Sequence, residues 1–150
     1  MTLDTPAYEY WTDRAGAAEL YEQLFPHADK DIAMEEIGRG LALVGLHSAL
    51  DHYFSSLTDS SGHGPLPQRI ASYLGSEIES GLYEALIRID ETRHVIIHHR
   101  GIVSDKYVTN VPYGNFVAGE KRKISDAELW KLGDVVWDVA VKLRRRAQTA

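Results

Sequence analysis

Leu82-Tyr-Glu-Ala-Leu-Ile-Arg-Ile-Asp-Glu-Thr-Arg-His-Val-Ile-Ile-His-His-Arg-Gly101 is the stretch on which the reading of the chain turns. On a helix at about 100° per residue, Leu82, Leu86, Ile89, Ile96 and Ile97 fall on one face, which is expected to turn to a core. Arg93 and Arg100 fall on that same face. His94 and His98 lie together beside it, one turn apart, and His99 lies on the other flank. Gly101 is the expected C-cap of this helix. Three of the seven histidines and two of the ten arginines sit within residues 90–101, so the segment also concentrates the chemistry.

Outward from this segment the pattern is helical nearly throughout. Thr5-Pro6 offers a hydroxyl N-cap with proline at the first helical position. Tyr8, Trp11, Ala15, Ala18 and Phe25 follow at helical spacing until Pro26 interrupts them. A longer helix is predicted from about Asp31 to Leu57, with two apolar stripes: Ile37, Leu41, Val44 and Leu43, Leu50, Phe54, Leu57. A helix apolar over so much of its circumference is central in a bundle or shared with a partner chain. Thr58 to Pro65 is a loop by composition, and a short helix is expected around Pro67 to Leu74 with a break near Gly75. From Ile102 to Ile124 weak alternation and two turn signals predict an irregular connection or small hairpin. The last helix opens on Ser125-Asp-Ala-Glu128, the spacing of a capping box. It is expected to bury Leu129, Leu132, Val136, Val139 and Leu143, and it closes on Lys142, Arg144, Arg145 and Arg146, the charge a helix C-terminus favours. The expectation is a single all-α domain over 1–150, a bundle of four to five helices with a short irregular or hairpin connection before the last.

Composition narrows the function classes. The 150 residues, 44% hydrophobic and 25% charged, suit one globular domain rather than a disordered chain. With no cysteine, disulfides, thiolate metal sites and cysteine nucleophiles are all excluded. The balance of 16 basic against 22 acidic residues gives a net charge of −6, so a nucleic acid would have to be engaged locally rather than coated. The longest apolar run, Leu41 to Leu46, is far short of a membrane span, and the start Met-Thr-Leu-Asp-Thr-Pro has no basic region leading into an apolar one. A cytoplasmic protein with no membrane partner is expected.

Arg93 poses the sharpest question. An arginine on an apolar stripe keeps its proton, so burial requires hydrogen-bonded or charged partners. One answer is a structural ion pair with a carboxylate such as Asp51 or Glu36. The other is a cationic site for a phosphate or another anion, with neighbouring imidazoles as proton acceptors near neutral pH. The wheel alone leaves both open.

Arg93-His94-Val-Ile-Ile-His98 resembles the signature of HEPN domains: arginine, a polar residue, a short spacer, then histidine. His99-Arg100-Gly101-Ile-Val-Ser-Asp-Lys-Tyr107 resembles a group of small bacterial HEPN-like proteins that carry an Asn-Arg-Gly-Ile turn there. His-Ser-Ala-Leu-Asp-His-Tyr-Phe54 resembles the preceding long helix of that group, in which an acidic residue often stands at the position of Asp51. The likeness runs from about Asp31 to Leu143. Arg88 with His94 and Arg93 with His99 match a spacer one residue longer; the flanking residues align on Arg93 with His98. The resemblance implies a HEPN-type bundle and a metal-independent endoribonuclease of the toxin or phage-defence type, needing no cofactor. It further implies a homodimer with the two motifs facing across a cleft, and an antitoxin protein as a further partner. His98 would take the proton of a ribose 2′-hydroxyl and Arg93 would hold the phosphate, with His94, His99, Arg100 and Asp51 in support. The family also contains members that bind without cleaving, so a catalytically silent helical adaptor is the alternative.

A metal site is the competing chemistry. His94 and His98 share a helix face, Glu91 joins them one turn earlier, and His47 could supply a third imidazole, an arrangement similar to the metal triad of DinB-like bundles. Glu91-Thr-Arg-His94 has the form found in di-iron bundles, but no second copy exists. Gly38-Arg-Gly40 follows no strand and reads as close helix packing rather than a phosphate loop. Lys121-Arg-Lys123 and Arg144-Arg-Arg146 could track an RNA backbone, although basic clusters near helix ends are ordinarily solvated. Trp130, Trp137 and Val141 form a second stripe on the last helix, which either the 102–124 connection or a partner chain is expected to cover.

Overall fold

The computed structural model of the protein describes residues 30–58, 64–111 and 113–149. By its contacts the chain divides into two units, 1–38 and 39–150. The helix expected over Thr5 to Phe25 lies outside the described residues. Among those described there are five α-helices and no strand: α1 (Lys30–Thr58), α2 (Leu66–Leu74), α3 (Ser80–His98), α4 (Asp105–Asn110) and α5 (Asp126–Thr149). The fold is all-α, as the periodicity predicts, and no described helix is long and apolar enough to cross a membrane.

Three apolar clusters hold residues 39–150 together. In the first, Leu50 and Phe54 of α1 meet Leu66, Ile70 and Leu74 of α2, Leu86 of α3, and Val139 and Leu143 of α5. The second joins Leu43, Ile89, Ile124 and Leu132. Of the two stripes on α1, the one through Leu43, Leu50 and Phe54 is therefore the core stripe. Leu41, on the other, is 48% exposed. In the third cluster Val95 at the end of α3 packs on Val103, Tyr107 and Val111.

That third cluster corrects the expected face of α3. Its buried line is Leu86, Ile89, Thr92 and Val95, a spacing of three that rotates steadily around the helix. The rotation occurs because α3 packs on α2 and α5 and also on α4. Ile97, assigned to the core by apolarity, is 45% exposed.

Two local features set up the site. α2 begins after an extended Pro65 (φ −62°, ψ 144°) and carries proline in its first turn, with no side chain capping that end. Between α3 and α5 the chain is the irregular connection expected, with one antiparallel bridge between Ile102 and Lys121. It also holds α4, which the weak alternation hid. The Ser104 hydroxyl caps α4 by accepting from the Tyr107 N–H at 3.1 Å. At α5, Ser125 Oγ accepts from the Glu128 N–H at 3.1 Å, the first half of the expected capping box. The Glu128 carboxylate is used elsewhere, accepting from Arg122 Nη2 at 2.5 Å.

Candidate phosphate-binding cleft

α3 ends at His98, and the two residues after the cap both have left-handed backbone, Arg100 at φ 54° and Gly101 at φ 79°. The His99 and Gly101 N–H groups both donate to the Val95 carbonyl at 3.0 Å, which closes the helix there. His99 therefore leaves the helical path. Its ring lies 5.4 Å from that of His94, between centroids, and the His98 ring lies 4.7 Å from His94. Three imidazoles form one group with His94 in the middle, whereas an unbroken helix would have put His99 on the opposite flank. Arg100, expected on the apolar face, is exposed beyond the helix end.

Beside this group lies a cleft of about 230 Å³. α3 lines it with Asp90, Glu91, Arg93 and His94, α4 with Lys106, and the start of α2 with Pro65, Pro67 and Gln68. The two carboxylates are already engaged. Asp90 Oδ1 lies 2.8 Å from His47 Nε2, and Glu91 Oε1 accepts from Asn110 Nδ2 at 3.0 Å. The cations are not. Neither Arg93 nor Lys106 makes an ion pair or hydrogen bond with any described residue, and Arg93 Nε is buried without an acceptor. Asp51, one of the two carboxylates expected to serve Arg93, instead accepts from Arg69 Nη2 at 3.0 Å, and Glu36 makes no ion pair or hydrogen bond with Arg93 either.

The electrostatics of the cleft act on His94. Burial, then the neighbouring His98, Lys106 and His99, hold its imidazole below the ordinary histidine pKa, against a smaller opposing pull from Glu91. His94 is thereby biased toward the neutral, proton-accepting form. His98 is exposed and lies outside the residues that line the cleft, reaching it only through the His94 ring beside it. The metal triad does not assemble: among the described residues no group of three His, Asp or Glu side chains is arranged to hold an ion, and His47 is occupied by Asp90.

Sequence reasoning missed what holds the cleft's walls together. Thr92 Oγ1 and the Tyr107 hydroxyl are 2.9 Å apart, and Arg122 Nε donates to that hydroxyl at 2.7 Å. Arg122 also reaches Glu128 at 2.5 Å, with its side chain only 3% exposed. This buried chain pins α3 to α4 one residue away from Arg93 on one side and from Lys106 on the other. Arg122 is thus neither solvated nor free to follow an RNA backbone. The only sequence signal was its place near the capping box of α5.

No family model, curated protein or solved structure matches this chain. The geometry of the cleft carries the functional reading.

Proposed function

We propose that the protein is a metal-independent endoribonuclease that cleaves RNA by attack of a ribose 2′-hydroxyl on the adjacent phosphorus. The observation that supports this most is Arg93, a half-buried cation without a counter-ion that shares a cleft with a histidine biased toward its neutral form. A guanidinium withdrawn from water and left unpaired is costly unless an anion completes it. Lys106, a second cation lining the same cleft, adds to the same preference. Arg93 and Lys106 would hold the phosphate and offset charge on its oxygens.

In place of His98, to which the resemblance gives this role, His94 would accept the 2′-hydroxyl proton as the O2′–P bond forms. It is the histidine that lines the cleft and is biased toward the neutral form. The neighbouring His98 would return a proton to the departing 5′ oxygen as the P–O5′ bond breaks. The products carry a 2′,3′-cyclic phosphate and a free 5′-hydroxyl, and DNA, lacking the nucleophile, is inert. The HEPN resemblance adds a homodimer with facing motifs, for which exposed Ile97 and Ile102 beside His98 offer apolar surface, and a toxin or defence role with a neutralising antitoxin. His94→Ala and His98→Ala test the assignment on single-stranded RNA. Each should lose roughly a hundredfold or more in rate while remaining folded. Wild-type rates in both folded variants would overturn it.

A further inference from the structure

The 102–124 connection does not cover Trp130 and Trp137 of α5, which are 78% and 71% exposed. A ligand is specified instead by the cleft, which holds charges of both signs that do not pair with each other. Asp90 and Glu91 line it beside Arg93 and Lys106, yet neither carboxylate meets either cation in an ion pair. Arg93 Nε is buried without an acceptor. Asp90 accepts through Oδ1 from His47 Nε2 at 2.8 Å, and its Oδ2 has no donor among the described residues. We infer that the cleft reads a base as well as a phosphate, and that Asp90 selects guanine on the 5′ side of the bond to be cleaved.

The inference rests on the ribonuclease reading, which places the phosphate on Arg93 and Lys106. Asp90 stands one turn of α3 before Arg93 and His94, so it faces the nucleotide whose 2′-hydroxyl attacks. A carboxylate only accepts hydrogen bonds, and Asp90 keeps acceptor capacity on both oxygens after His47 has taken one place. Guanine alone sets two N–H donors side by side on its Watson–Crick edge, N1–H and the 2-amino group. Adenine and cytosine set a donor beside an acceptor there, and uracil flanks its one donor with carbonyls. Those acceptors would meet the carboxylate unpaired, and the Asp90 side chain is only 23% exposed, so water does not make good the mismatch. His47, itself 6% exposed, holds the carboxylate in place before any ligand arrives. Pro65, Pro67 and Ile87 supply apolar walls for the faces of a base. No Phe, Tyr or Trp among the described residues lines the cleft, so selection falls to the edge of the base rather than to stacking.

Four DNA oligonucleotides, each carrying a single guanosine, adenosine, cytidine or uridine ribonucleotide, offer one 2′-hydroxyl apiece to the full chain. Cleavage after guanosine should exceed the other three by roughly tenfold or more in kcat/KM. Asp90→Asn keeps an oxygen for His47 but sets an amide donor beside it. It should slow cleavage after guanosine and quicken it after adenosine, a change of ratio that a merely structural Asp90 would not produce. Calorimetric titration with guanosine 3′-monophosphate and adenosine 3′-monophosphate reads the same preference without cleavage. The wild type should bind the guanosine form roughly tenfold more tightly or better, and Asp90→Asn should lose that margin. Selective binding with no oligonucleotide cleaved would uphold the guanine site and overturn the ribonuclease reading. Cleavage of all four at similar rates would do the reverse. Equal binding of the two nucleotides, binding of neither, or ratios unchanged in Asp90→Asn would also overturn the inference. If Asp90→Asn fails to fold, the wild-type ratios alone decide.

Discussion

Replacing Arg93 by methionine separates a binding arginine from a structural one. Were Arg93 the partner of a buried carboxylate, its removal would strand that charge at a cost of about 3–5 kcal/mol. Of the carboxylates the sequence offers it, Asp51 belongs to Arg69 and Glu36 does not reach it, and Arg93 Nε is buried with no acceptor. A buried donor without a partner costs about 1–3 kcal/mol, and methionine keeps an unbranched apolar stem while removing that donor. Arg93→Met should therefore be neutral or stabilise by up to about 2 kcal/mol. For a chain of this size the midpoint of thermal unfolding would stay put or rise by roughly 2–4 °C per kcal/mol. Urea and thermal unfolding by circular dichroism, run beside an RNA cleavage assay, read both consequences. The expected pair of results is a protein as stable as the wild type or more so, with cleavage lost. Destabilisation by 3 kcal/mol or more would refute the reasoning, since it would mean that Arg93 serves the fold.

Arg122 should behave in the opposite way. Arg122→Met leaves Glu128 and the Tyr107 hydroxyl without their buried donor, and should lower stability by about 3–5 kcal/mol in urea unfolding. The pH dependence follows from His94. Because folding depresses its pKa, its neutral form contributes stability above the unfolded-state value near 6.5, and that contribution is lost as pH falls through the lower folded value. The acid limb of the cleavage profile should accordingly have its midpoint below pH 6.5. Lys106→Ala removes one of the charges that lower this pKa, so it should move the midpoint upward in a pH–rate series.

Much of the fold was legible because long helices declare themselves by repetition. α1 and α5 were read from stripes several turns long, and the break after α2 from Gly75, which takes φ 59°. What escaped depends on contacts between distant segments. Six-residue α4 is too short to show a period, although its Ser104 cap was present in the sequence. The core line of α3 follows α4 round to Thr92 and Val95, a rotation that apolarity on a fixed wheel cannot register. At the site, Arg93, His94 and His98 were found from residue type and spacing. The place of His99 depended on two successive left-handed residues, of which only Gly101 announced itself. Lys106 was invisible because nothing in the local sequence says that α4 folds back onto α3. Arg122 was misjudged because a basic residue between two lysines reads as solvated until its buried acceptors are known.

The most direct test uses a single-stranded RNA and the same oligonucleotide with a 2′-deoxy residue on the 5′ side of each scissile phosphate, both incubated with the full chain in excess chelator. The account predicts cleavage of the RNA to 2′,3′-cyclic phosphate ends, no cleavage of the 2′-deoxy oligonucleotide, and no cleavage of either by Arg93→Met. Cleavage of the 2′-deoxy oligonucleotide, activity that vanishes with chelation, or an intact RNA with the folded wild type would contradict it.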